Sequence, residues 1–257
     1  MRDTSAIRPP AAGLLLLEGR ALLELAALLP AWPALRRAPR GDGHPVLVLP
    51  GLMASDFSTR ALRSFLRDKG YAAHGWKQGR NLGPSDALIA AMVERLTDLQ
   101  RRHGRRVSLI GWSLGGIYAR ELSRAMPDLV RQVITLASPF RDVAAVNVPR
   151  RLQARARRDN PLPDDAALRA HLRDPLPVPT TAIFSHSDGI AAGASCRADP
   201  APRTESLEVE SSHLGIGHHP VVLLTIADRL AQAEGAWRPF VPPRGWRFPF
   251  VPRVVTD

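Results

Sequence analysis

Residues 107–116 constrain the fold of this chain most, because they join a strand signal, a tight turn and a helix signal without a break. Residues 107–110 form a short apolar run that is typical of a buried central strand. A Gly-x-Ser-x-Gly pentapeptide follows over residues 111–115, and the helical pattern after it ends at Pro127. This order of strand, turn and helix gives the pentapeptide a chemical meaning that it lacks in isolation.

In this setting the turn holds Ser113 in a strained backbone conformation, with its hydroxyl clear of the sheet. Gly111 and Gly115 leave room for the strand and helix to approach closely, since a Cβ atom at either position would clash. The helix N-terminus supplies free amides and a partial positive charge beside the hydroxyl, where an oxyanion would form. The pattern therefore predicts that Ser113 is a nucleophile.

Length and composition indicate one large globular domain, since 257 residues can bury a substantial core. The net charge is +11, and only Lys69 and Lys77 among the 35 basic residues are lysine. No nucleic-acid-binding motif accompanies this charge, so we interpret it as arginine spread over solvated faces and expect no nucleic-acid partner. The single Cys196 excludes an internal disulfide and fits a reducing, cytoplasmic location, and zinc-type ligand spacing is absent.

Residues 11–29 are rich in leucine, but Glu18, Arg20 and Glu24 interrupt them. A spanning helix and a signal peptide both need a nearly uncharged run, so neither is predicted. Arg20 and Glu24 lie on one side of a helix, and leucines populate the other. We predict an amphipathic helix that packs on the domain beside the active-site mouth, with shallow lipid contact as the alternative. The leucines of the apolar side are Leu15, Leu22, Leu25 and Leu29.

The rest of the chain alternates strand and helix signals. Strands are predicted at residues 46–49, 71–76, 130–136, 180–184 and 207–210, and helices at residues 58–69, 85–102 and 220–234. Prolines at positions 30, 33 and 39 are expected to end the N-terminal helix in a connector. We divide the chain into an N-terminal helix and connector (1–43), an α/β domain (44–235) and a Pro- and aromatic-rich tail (236–257), which we expect to pack on its own domain.

With these motifs, residues 45–234 resemble the α/β-hydrolase superfamily, in particular its bacterial lipase and esterase branch. The resemblance implies a mostly parallel central sheet flanked by helices, and a chain order of serine, acid and histidine. It also implies a cap or lid insertion after the strand that follows the serine turn. Here that insertion is expected at about residues 140–178, an Arg- and Pro-rich stretch with helical pieces at residues 149–158 and 164–172.

The resemblance also implies roles for individual residues. Asp188 lies in a turn just past the strand at residues 180–184, where the family has its acid. His213 lies in the loop after the last predicted strand, where the family has its base. The oxyanion would be held by the backbone N–H groups of Leu52, with Met53 as the neighbouring alternative, and Leu114. His186 is interpreted as structural, and His213 is preferred as the base over His218 and His219, which are expected at the start of the closing helix.

Together these residues predict a serine hydrolase that cleaves small-molecule or lipid-type carboxylic esters through an acyl-enzyme on Ser113, without a metal or organic cofactor. Two alternatives stay open. An acyltransferase would hand the same acyl group to an alcohol, and a non-catalytic binding protein could use the same scaffold. The complete set of Ser113, Asp188 and His213 argues against the binding protein, which has no need of all three.

Overall fold

The computed structural model describes residues 7–149, 166–244, 247, 249 and 251–256. Within these residues one sheet has the strand order β2-β1-β3-β4-β5-β6-β7, in which the first six strands are parallel and β7 is antiparallel. The strands are β1 Pro45–Leu49, β2 Ala72–Gly75, β3 Val107–Trp112, β4 Val130–Leu136, β5 Thr180–Phe184, β6 Thr204–Glu208 and β7 Arg253–Val254. The described helices are α1 Ala12–Leu16, α2 Ala21–Ala26, α3 Leu28–Arg37, α4 Arg60–Asp68, α5 Asp86–His103, α6 Leu114–Ala125, α7 Ala166–Arg173 and α8 Pro220–Leu230.

Two hydrophobic layers cover the faces of this sheet. Side chains alternate along a strand, so Val46 and Val48 of β1 join the core beneath α3, α4 and α8. Leu47 and Leu49 point the other way and join the core beneath α5 and α6. Burial on both faces explains why β1 is a continuous apolar run instead of an alternating one, and every residue of β3 and β4 is buried as well.

The parallel arrangement brings the candidate functional residues to one edge of the sheet. The carboxyl ends of β1, β3, β5 and β6 lie along the same edge, with β4 between β3 and β5, and the segments with Leu52, Ser113, Asp188 and His213 follow them in that order. In open parallel sheets, ligands bind at this edge. The predicted mostly parallel α/β sheet flanked by helices is therefore confirmed.

Several predicted element bounds differ from the structure, and the helix predicted at residues 220–234 ends at Leu230. The N-terminal helix does not end in a connector at the prolines, because α3 continues to Arg37 with Pro33 inside it. Pro30 is tolerated as the third residue of α3, where the backbone N–H lacks an intrahelical partner, and burial of Leu35 offsets the hydrogen bond lost at Pro33. The last predicted strand, residues 207–210, is in fact β6 at Thr204–Glu208.

The C-terminal tail contains a strand that lacks sequence periodicity. Arg253 and Val254 pair with β6, while Phe240 is buried and donates its N–H to Glu205 at 2.7 Å. The described tail residues thus pack on their own domain, as predicted. Of the cap expected at about residues 140–178, residues 150–165 lie outside the described residues and Ala166–Arg173 forms α7, and the cap itself stays a prediction. No helix in the described part of the chain has the length and apolar character needed to cross a membrane.

Candidate active site

Ser113 stands in the turn between β3 and α6 with a positive backbone φ of 53° and a ψ of −122°. Such a conformation costs a non-glycine residue on the order of 1–3 kcal/mol, so its surroundings must hold it. The N–H of Ser113 donates to the carbonyl of Leu136 at 2.8 Å, and the hydroxyl of Ser138 donates to the carbonyl of Ser113 at 2.7 Å. The carboxyl end of β4 therefore fixes both backbone polar groups of Ser113.

The two glycines of the turn are enclosed by backbone atoms. A Cβ atom on Gly111 would lie 2.5 Å from the carbonyl carbon of Gly115, and one on Gly115 would lie 2.7 Å from the carbonyl carbon of Leu49. Backbone cannot swing aside as a flexible side chain can. Any larger residue at either position would therefore push α6 away from β3 or β1.

Asp188 and His213 form a buried pair. Oδ2 of Asp188 accepts from Nδ1 of His213 at 2.7 Å, and Oδ1 accepts from the N–H groups of Ile190 and Ala191 at 2.7 and 2.8 Å. These bonds leave Nε2 as the ring atom available to a substrate or nucleophile. Burial lowers the pKa of His213, but the charge and hydrogen bond of Asp188 and the charge of Glu18 outweigh this, so the pKa lies above its ordinary value.

The loop that carries His213 has a second anchor. Nε1 of Trp112 donates to the carbonyl oxygen of His213 at 3.0 Å. Trp112 is the residue directly before Ser113, so one side chain ties the His213 loop to the serine turn. The sequence interpretation missed this role, because the second residue of the pentapeptide is variable by definition and its partner lies 101 positions away.

The backbone N–H groups around Ser113 differ in whether they already donate a hydrogen bond within the protein. Leu114 is the first residue of α6, so its N–H has no partner within the helix. The N–H of Leu52 has no acceptor among the described residues, whereas that of Met53 donates to the carbonyl of Asn81 at 2.7 Å. Of the two neighbours considered from sequence, Leu52 is therefore the available donor and Met53 is not.

Ser113 and His213 open onto the same cavity, which has a volume of about 880 Å³. No direct hydrogen bond joins these two side chains in the structure, although both residues line the cavity. Such bonds are often long in ligand-free enzymes and tighten when substrate binds. The wall is mostly apolar and includes Leu15, Leu25, Leu52, Met53, Phe57, Ile190 and Leu214.

No protein-family model matches this sequence, and no curated protein sequence matches it either. Solved structures do match. A lipase from Aspergillus fumigatus aligns with a TM-score of 0.57 at 16% identity, over 76% of this chain and 54% of that lipase. A Bacillus licheniformis lipase aligns at 0.56 with 16% identity over 76% of this chain and 95% of the other, and an α/β-superfamily hydrolase from Oenococcus oeni at 0.55 with 14% identity over 73% and 91%. The protein has the α/β-hydrolase fold. At these identities the likeness concerns the fold alone.

The N-terminal segment lies against the loops that carry Asp188 and His213 and lines part of the cavity. Leu15 and Leu25 form part of the cavity wall, whereas Leu16, Leu22 and Leu29 are more than 70% exposed. The polar side of the segment is the buried one, which reverses the usual arrangement of an amphipathic helix. The sequence interpretation treated Glu18 as an interruption of an apolar run. Its isolation among leucines was the available signal that it has a partner.

A different set of serine, histidine and aspartate forms a chain of hydrogen bonds at the opposite end of the sheet. Nδ1 of His44 lies 2.5 Å from Oδ1 of Asp42, and its Nε2 lies 2.9 Å from Oγ of Ser108. Ser108 and His44 are fully buried, and neither lines the cavity. Burial lowers the pKa of His44 to about 4, in spite of its bond to Asp42. This chain can satisfy buried polar groups but cannot reach a substrate.

Proposed function

We propose that this protein hydrolyses carboxylic esters through an acyl-enzyme on Ser113. The observation that carries the proposal is that a strained serine turn and a buried Asp188–His213 pair open onto one apolar cavity. A serine hydroxyl is a poor nucleophile at neutral pH and needs a base within reach. His213 takes the proton from Ser113 as its oxygen attacks the acyl carbonyl, and then gives that proton to the departing alcohol.

The other groups stabilise charge during this reaction. Asp188 holds the His213 ring in the tautomer whose Nε2 faces the cavity, and stabilises the imidazolium that forms. The N–H groups of Leu52 and Leu114 donate to the oxyanion of the tetrahedral intermediate. Water then attacks the acyl-enzyme, with His213 as base again. Loss of one oxyanion donor typically costs about 100-fold or more in rate.

The lining of the cavity supports an ester with an apolar acyl part. Aliphatic and aromatic side chains form most of its wall, and a volume of about 880 Å³ holds a medium-length acyl chain more readily than an acetyl group alone. The exposed leucines beside the mouth fit shallow contact with a lipid surface. Cosedimentation with phosphatidylcholine vesicles tests this contact: wild type should sediment, and a double variant with Leu16→Ser and Leu23→Ser should stay in solution.

The experiment that tests the proposal is hydrolysis of p-nitrophenyl esters, from acetate to palmitate, by wild type and Ser113→Ala. Wild type should hydrolyse these esters, and the kcat of Ser113→Ala should be lower by several orders of magnitude. Ser64→Ala is the matched control, because Ser64 is an exposed serine on the wall of the same cavity. A folded wild type that is inert across the whole series contradicts ester hydrolysis. Product analysis in the presence of an added alcohol distinguishes hydrolysis, which yields the free acid, from acyl transfer, which yields a new ester.

A further inference from the structure

Glu18 is a buried carboxylate in a segment whose apolar side chains are exposed. It lies in the short 3-10 turn Leu17–Arg20 and is only 5% exposed, while its neighbours Leu16 and Leu17 are 86% and 50% exposed. Removing a carboxylate from water costs several kcal/mol unless hydrogen bonds replace its hydration. The position is therefore informative: Glu18 is held inward while leucines beside it face outward.

Three backbone N–H groups surround this carboxylate. Oε1 of Glu18 accepts from Gly189 at 2.8 Å and from His213 at 3.0 Å, and Oε2 accepts from Leu214 at 2.8 Å. Gly189 directly follows the acid Asp188, whereas His213 is the base. One side chain from the N-terminal segment thus joins the two loops that carry the acid and the base. Hydrogen bonds to a charged acceptor are about twice as strong as neutral ones.

Close packing on the acid loop depends on glycine. A Cβ atom on Gly189 would lie 2.5 Å from the carbonyl carbon of Leu14 and 2.7 Å from the nitrogen of Leu15. With glycine, the backbone of α1 approaches the loop closely enough for Glu18 to reach it. Arg20 adds a second contact with this loop, since its Nη2 donates to the carbonyl of Ser187 at 2.8 Å and to its Oγ at 2.7 Å.

The base loop is held in the same way. Glu24 accepts from the N–H and the Oγ of Ser212, both at 2.8 Å, and it pairs with Arg20 at 3.3 Å. A Cβ atom on Gly215 would overlap the Glu24 carboxylate. The three charged residues that interrupt the leucine-rich run therefore all face the catalytic loops. Of these three, only Glu18 bonds to both loops.

We propose that Glu18 is a positioning residue of the active site, whose carboxylate joins the acid and base loops and holds Asp188 and His213 in reacting geometry. The inference rests on the proposed function of these two residues. It makes the segment before β1 part of the catalytic apparatus, although no atom of Glu18 touches the reacting groups. Within the described residues, the charges of Asp188 and Glu18 both raise the pKa of His213.

The first test replaces Glu18 by glutamine. In Glu18→Gln an NH2 group replaces one carboxylate oxygen and faces the backbone N–H groups that this oxygen accepted from. The catalytic loops should shift, so kcat for the best p-nitrophenyl ester should fall about 10–100-fold with little change in KM. The acidic limb of kcat/KM should move to lower pH, because a negative charge that raises the pKa of His213 is lost. Glu210→Gln is the control, since Glu210 is an exposed carboxylate three residues before His213.

Glu18→Asp keeps the test valid if glutamine prevents folding. Aspartate retains the charge but has a shorter reach, so the acidic limb should stay near its wild-type position while kcat falls. Wild-type kcat and an unmoved acidic limb in Glu18→Gln would refute the proposal.

A readout without substrate separates this inference from the proposed function. The His213 ring is titrated by NMR in wild type and Glu18→Gln, with assignment from a His213→Gln spectrum. The proposal expects a lower pKa of His213 and faster exchange of its Nδ1 proton in Glu18→Gln. If wild type hydrolyses no ester but these shifts occur, the proposed function fails and the positioning role stands. If wild type is active and the His213 spectrum is unchanged by Glu18→Gln, the positioning role fails.

Discussion

Gly111→Ala probes the contact between β3 and α6 on which the serine turn depends. The added methyl group would lie 2.5 Å from the carbonyl carbon of Gly115 and closer still to its carbonyl oxygen and to the Cα of Gly116. Strand and helix must therefore separate by at least about 0.5–0.9 Å to reach a tolerable contact of about 3.0–3.4 Å. Overpacking of this kind costs about 1–3 kcal/mol, and the backbone neighbours favour the upper end. For a chain of this size, about 3 kcal/mol lowers Tm by roughly 6–12 °C.

The same displacement moves Ser113 and the N–H of Leu114 relative to His213. A misplacement near 1 Å costs about 100-fold in rate, so kcat/KM for a p-nitrophenyl ester should fall by about that factor. The assay pairs thermal unfolding with ester hydrolysis. Gly13→Ala is the control, because no atom lies within 4 Å of the Cβ position there and alanine favours helix α1. If Gly111→Ala melts and reacts like wild type, close approach of strand and helix does not limit this site.

Three further predictions concern the base, its loop and a buried histidine remote from the cavity. Asp188→Asn should lower kcat about 10,000-fold in the ester assay, because the His213 ring loses its tautomer control and counter-charge; a loss under tenfold would contradict this role. Trp112→Phe leaves the buried carbonyl of His213 without its donor and should cost about 1–3 kcal/mol in urea unfolding, together with a lower kcat; equal unfolding curves would show that the bond contributes nothing. The pKa of His44 is about 4 in the fold and near 6.5 when unfolded, so the unfolded chain binds more protons between these values and stability falls as pH decreases through that window. From pH 7 to 4.5 this amounts to about 2–3 kcal/mol in urea unfolding, part of which His44→Gln should abolish; the same pH slope in both proteins would refute the assignment.

The sequence by itself determined the elements whose signals are local. Short runs rich in β-branched and apolar residues favour strands, and residues 130–136 and 180–184 were predicted to the residue as β4 and β5. The Gly-x-Ser-x-Gly turn was equally local, because Gly111 and Gly115 report the close approach of strand to helix. The candidate acid and base were placed by their positions after predicted strands and by resemblance.

Only the tertiary structure decided which groups meet across long separations. The 2.7 Å bond of His213 to Asp188 and the use of the Met53 N–H by Asn81 depend on loops that the sheet brings together. The strand at Arg253 and Val254 forms because β6 offers an unpaired edge. The sequence could not predict it, because two residues have no periodicity to detect. Periodicity also predicted that leucines would face the domain. The structure turns Glu18 inward instead, because three backbone N–H groups of distant loops satisfy its carboxylate, and no local pattern encodes their positions.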